Sequence, residues 1–369
     1  MNSSVSACFG SLGIVGFVSI GARPIGPDPS DGKSRPSRAD EVARAGKPKH
    51  CARDSRRPRA TGHVTDPGSG DPGAPRGDGA LCTEPVGCES CGVDPTVESG
   101  VIGAGLPVLR FGSGCPLVVL GGATPVHANP TGLARRAVLF TFRGLARDRR
   151  VWLVNRRRGL AADTTLADLA ADHATALATA VDGPVDVLGV STGGSVALQL
   201  AADRPDLVRR LVVVGAAHRV GDLGREVLRA VADLHERGDS RAAYRAFARA
   251  STTSPTGQRL LGDLQWLSEP LVFGRHIDRS DWVAALRAEA RFDLGDRLAE
   301  ITAPTLVIGG DHDLAYPAAL FRATADGVAD GRLALYPGRG HGGALADRRF
   351  PRDALAHLSR PGRRGSRDR

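Results

Sequence analysis

Gly189-Val190-Ser191-Thr192-Gly193 sets one serine between glycines two positions away on either side. A serine hydroxyl attacks a carbonyl only when a base takes its proton and a carboxylate orients that base. Downstream, His341 stands in Gly338-Arg339-Gly340-His341-Gly342-Gly343, and two acids stand in Gly309-Gly310-Asp311-His312-Asp313. A histidine ringed by glycines in a loop has no helix face to pack. His173, His235 and His357 fall instead in helical patterns, where a packing role is sufficient. On residue type alone, either Asp311 or Asp313 can be the orienting acid.

Such residues need rigid supports, and the apolar pattern supplies them. From about residue 106, short apolar runs alternate with helical patterns, the signature of a mostly parallel sheet covered by helices. Strands are expected at 106–110, 116–120, 151–155, 185–190, 211–214, 305–308 and 332–336. Helices are expected at 165–181, 192–202 and 353–358. The serine thus falls between a strand and a helix, where the free N–H groups and positive dipole end of the helix face the reacting oxygen. Strand signals stop between 217 and 301. Residues 224–237, 241–249 and 281–290 read as helices, a helical insertion between two strands.

In these features the segment from about 107 to 358 resembles the α/β-hydrolase superfamily. The resemblance rests on GVSTGG at 189–194, PTLVIGGDHDLAYP at 304–317 and PGRGHG at 337–342. It implies a doubly wound α/β sheet with a helical cap at about 218–300. It assigns Ser191 as nucleophile, His341 as base and Asp313, three residues after Gly310, as the acid. It also implies an oxyanion hole made by backbone N–H groups of Thr192 and, from the loop Gly121-Gly122-Ala123, of Ala123. Relatives commonly carry a His-Gly pair in that loop where this chain has Gly121-Gly122. The implied reaction is acyl transfer to water from a small-molecule ester, thioester or lactone, without cofactor or metal. Perhydrolysis, acyl transfer to an alcohol and a non-catalytic binding module on the same scaffold are the alternatives. Relatives with an aspartate nucleophile are disfavoured by Ser191, and those relying on an active-site lysine by the lack of any lysine after Lys49.

The rest of the sequence is plainer. The formal net charge is +9, but no aromatic interleaving or binding motif accompanies it, so nucleic acid is not an expected partner. Arg156-Arg157-Arg158 reads as structural or solvated, and His127 and His218 as bystanders near the pocket. Residues 1–100, rich in Gly and Pro, read as a disordered extension, residues 101–360 as the hydrolase domain, and 361–369 as a basic tail. Cys82, Cys88 and Cys91 lack an evident fourth ligand for zinc. The apolar run 7–22 is too short to span a membrane and makes a poor signal peptide, so a cytoplasmic protein is expected.

Overall fold

The structure, a computed structural model, describes residues 97–275 and 277–360. The expectations for residues 1–96, including the cysteine cluster and the apolar run, and for the tail at 361–369 lie outside the described residues; residues 98–100, expected within the disordered extension, are instead part of a strand because they pair with the edge of the sheet.

Eight strands form one sheet: β1 (Glu98–Ile102), β2 (Leu106–Phe111), β3 (Cys115–Leu120), β4 (Arg149–Val154), β5 (Val185–Val190), β6 (Val208–Val214), β7 (Thr305–Gly310) and β8 (Gly331–Tyr336). Their order is β1-β2-β4-β3-β5-β6-β7-β8. The β1–β2 and β2–β4 pairs are antiparallel, and every pair from β4 to β8 is parallel. The parallel strands carry apolar side chains on both faces because helices cover both. In β3, Val118 and Leu120 face one core cluster while Leu117 and Val119 face the other, the two-residue alternation of a strand.

Ten α-helices complete the described chain. Helices α1 (Gly132–Phe142), α9 (His341–Ala346) and α10 (Arg349–Leu358) pack one face of the sheet. Helices α2 (Leu166–Ala180), α3 (Thr192–Asp203) and α8 (Ala318–Gly327) pack the other. Between β6 and β7 come α4 (Asp222–Glu236), α5 (Ser240–Phe247), α6 (Pro255–Phe273) and α7 (Ser280–Arg291). Four helices therefore occupy the expected insertion, not three. Gly257, Gly262 and Pro270 obscure α6 in the sequence, and much of its apolar surface faces outward, with Leu260, Leu264, Leu267 and Leu271 exposed. Among the described residues no helix is long and apolar enough to cross a membrane.

The amino ends of the central strands are tied by a buried ion cluster. Asp186 of β5, 0% exposed, accepts from Arg209 Nε at 2.9 Å and Nη2 at 2.8 Å, and from Arg149 Nη1 at 3.3 Å. Arg149 is itself buried and donates to the Leu358 carbonyl at 3.0 Å. Removing the Asp186 charge leaves the buried Arg149 without its carboxylate partner, a costly loss, while the partly exposed Arg209 can turn to water. Asp186→Asn is therefore expected to cost about 3 kcal/mol of stability in urea unfolding followed by circular dichroism. Its activity per folded molecule should stay unchanged, since the cluster lies at the end of β5 opposite Ser191.

Candidate active site

β5 runs straight into α3, and Ser191 is the residue on which the chain reverses. Its φ of 51° is the only positive value at a non-glycine among the described residues, a strain of about 1–3 kcal/mol that the surrounding packing must hold. The glycines explain how. A Cβ on Gly189 would overlap the Gly193 carbonyl oxygen, and one on Gly193 would overlap the Leu120 carbonyl oxygen. One on Gly122 would lie 3.4 Å from the Ser191 Cβ. The serine turn and the loop after β3 thus touch backbone to backbone.

Ser191, Asp313 and His341 follow the carboxyl ends of β5, β7 and β8, where open parallel sheets bind ligands. Ser191 Oγ lies 3.0 Å from His341 Nε2. His341 Nδ1 lies 2.8 Å from Asp313 Oδ2. The other carboxylate oxygen of Asp313 accepts the backbone N–H groups of Ala315 and Tyr316, each at 2.9 Å. An acceptor-only carboxylate fixes the tautomer: Nδ1 carries the proton, and Nε2 keeps its lone pair toward the serine. Asp311 is exposed and accepts the Gly338 N–H at 2.6 Å, bracing the loop before His341 without reaching the ring. His341 is not in an open loop; it is the first residue of the short helix α9.

Thr192 is the first residue of α3 and is buried; Ala123 follows Gly122 and packs against the core. The two lie on the two segments that meet at Ser191. Behind the Gly121–Ala123 loop stands Arg156, which is buried rather than solvated. Its Nη1 and Nη2 donate to the Gly122 carbonyl at 3.2 and 3.1 Å, and Nη1 reaches the Gly121 carbonyl at 3.4 Å. Its Nε donates to His127 Nε2 at 3.1 Å. That contact requires neutral His127, whose Nδ1 faces the Arg157 carbonyl at 2.9 Å. Burial, then the Arg156 charge, pushes His127 down to about 3, while burial takes Arg156 down to about 10. His218 is also tied down, bonded through Nδ1 to Thr324 Oγ1 at 3.0 Å.

Glu289 of α7 is 1% exposed. It was not singled out from the sequence, although a signal exists. Trp282, Leu286 and Glu289 share one helix face, and all three are buried, so a carboxylate sits where the period calls for an apolar residue. A cavity of about 90 Å³ opens beside Gly121 and Gly122, walled by Val126, Leu153, Val272 and Phe273.

Comparison with known proteins agrees with this architecture. The model of the alpha/beta hydrolase family matches residues 117–358. The chain belongs to that family: it is an α/β-fold hydrolase. Among individual proteins, it is 29% identical over 211 residues to RutD of Variovorax paradoxus, a protein named for carbamate hydrolysis; the match covers 55% of this chain and 77% of that one. A RutD of Rhizobium rhizogenes is 30% identical over 154 residues, 41% of this chain and 57% of the relative. Among solved structures, the enol-lactonase of Burkholderia xenovorans LB400 superposes with a TM-score of 0.55 at 19% identity, covering 71% of this chain and 100% of that one. The α/β hydrolase MGS-M2, from a Medee basin deep-sea metagenome library, gives 0.58 at 16% identity, covering 70% and 95%. At these identities the structural likeness is one of fold.

The glycine contacts carry a prediction. Gly193→Ala forces backbone apart and is expected to cost about 3 kcal/mol. Gly159→Ala, at φ 73° with open space around it, should cost about 1 kcal/mol. Thermal melts of the two variants rank the effects.

Proposed function

We propose that the protein is a serine hydrolase, with Ser191 as nucleophile, His341 as general base and Asp313 as the acid that orients it. The observation that carries this is the unbroken chain of contacts from Ser191 Oγ to His341 Nε2 at 3.0 Å and from His341 Nδ1 to Asp313 Oδ2 at 2.8 Å. Ser191 Oγ adds to the substrate carbonyl while its proton passes to His341 Nε2. The resulting imidazolium is held by Asp313 and returns the proton to the leaving group as the C–O or C–S bond breaks. Water then repeats the sequence on the acyl-enzyme. The backbone N–H groups of Thr192 and Ala123 receive the negative charge of the tetrahedral oxygen, an arrangement that works because such donors are fixed before charge develops.

The substrates proposed are carboxylic esters, thioesters or lactones. The RutD relatives add carbamates, whose carbonyl undergoes the same addition.

The test is kinetic. Ser191→Ala is expected to abolish ester hydrolysis with an unchanged melting temperature. Asp313→Asn should reduce kcat about a thousandfold or more through the misoriented imidazole, while Asp311→Asn should change it by less than about tenfold. If Asp311→Asn is the more damaging of the two, the assignment of the acid is wrong.

A further inference from the structure

Glu289 takes no part in the chemistry above, yet it is buried under it. Ser195, one turn along α3 from the nucleophile, donates its hydroxyl to Glu289 Oε1 at 2.7 Å. The Tyr316 hydroxyl donates to the same oxygen. The Tyr316 ring lies flat against the His341 ring, with centroids 5.5 Å apart and planes 11° apart. Its backbone N–H holds Asp313. One carboxyl group on α7 therefore ties the helix of the serine to the loop of the acid and to the face of the histidine.

We infer that Glu289 is a positioning residue that works as a second, buried anion for His341: through Tyr316 it holds the imidazole plane, and its charge stabilises the imidazolium formed during acyl transfer. This rests on the Ser191–His341–Asp313 reading. Two hydroxyls donating to one oxygen are what a carboxylate attracts, while a merely structural link would be served as well by a neutral amide. Burial, the largest effect, leaves the Glu289 carboxyl above the usual carboxylate range; the Tyr316 and Ser195 hydroxyls, then His341 and Arg156, oppose that rise. Tyr316 is held well above the ordinary phenol range, first by burial and then by Glu289, so it stays a donor at any working pH.

Asp313 and Tyr316 face His341 from the loop after β7, and Glu289 of α7 touches Tyr316 and acts on His341 by charge. Beside α9, Arg339 is paired with Asp347. Arg156, from the loop after β4, acts on Glu289 while its donors are engaged by Gly121, Gly122 and His127. Asp281 of α7 caps the N–H groups of Gly159 and Leu160 at 3.1 and 2.6 Å, and its charge acts on Arg156 as does that of Glu289. Neutral His173, at about 3 through burial, adds no charge.

The sign of the effect follows. A carboxylate near an imidazolium favours the charged ring, so removing the carboxylate disfavours that form. Glu289→Gln keeps an acceptor oxygen for both hydroxyls and loses only the charge. In the full chain, with a short-chain p-nitrophenyl ester, the acidic limb of kcat/KM is expected to move at least about half a pH unit toward acid. Over the same range kcat should fall about tenfold with KM nearly constant.

Ser195→Ala, which removes one of the donors that lower the Glu289 carboxyl, should move the limb the same way by less. It decides the matter if Glu289→Gln does not fold. Labelling of each protein by a fluorophosphonate reports whether the serine is still activated. An unmoved limb in variants that still label overturns the role of Glu289 alone. Absence of labelling in the unmodified protein overturns the triad and this inference together.

Discussion

The structure turns on a backbone reversal that only small residues permit. Ser191 holds its positive φ because Gly189, Gly193 and Gly194 let β5, α3 and the end of β3 approach without an intervening side chain. The strain is local, and the support is the whole sheet. β5 lies between β3 and β6, and its register with both brings Leu120 and Val214 to the level of the turn. The Ser191 N–H donates to the Val214 carbonyl at 2.9 Å, so even the strained residue completes a strand hydrogen bond. Everything the site needs, from the loop after β3 to the histidine after β8, is referred to that point.

Around this point the protein buries charge, which is costly unless each group is met by partners. Arg156 is met by two carbonyls and a neutral imidazole, and Asp313 by two backbone N–H groups and His341; Glu289 receives two hydroxyls on Oε1, while its Oε2 is buried without a hydrogen-bond partner. An apolar filling could stabilise the fold as well, but it would not hold a loop carbonyl or an imidazole plane in one orientation. The amino ends of the strands carry their own cluster at Asp186, far from the serine. Separate groups of buried charges thus stand at the two ends of one sheet.

Much of this was legible in the residues. The apolar runs at 116–120, 185–190 and 305–308 are strands because both faces of a central parallel strand are buried, and such runs are hard to mistake. The strand at the edge, β1, was not legible: Glu98-Ser99-Gly100 has no apolar run, and its pairing with β2 is what makes it a strand. Helix α6 was hidden by Gly257, Gly262 and Pro270. The residues of the serine turn, the acid turn and the histidine loop could be named from motif and order, because glycine spacing records where backbones must meet. Glu289 left only one trace, a carboxylate at an apolar position of a helix face, and the inward turn of Arg156 and His127 left none. Whether an arginine beside two others points into solvent or into a loop depends on which carbonyls the fold brings over it, and local sequence does not record that.

The central claim is that Ser191 carries the acyl group between two half-reactions. The direct measurement is to mix the full chain with a short-chain p-nitrophenyl ester, quench in acid within the first turnovers, digest, and read the peptides by mass spectrometry. The account predicts an added acyl mass on the peptide containing Ser191, localised to that hydroxyl, appearing with a burst of nitrophenol and decaying as water resolves it. Acylation at a different side chain, or turnover with no acyl-peptide under conditions that show a burst, would contradict it.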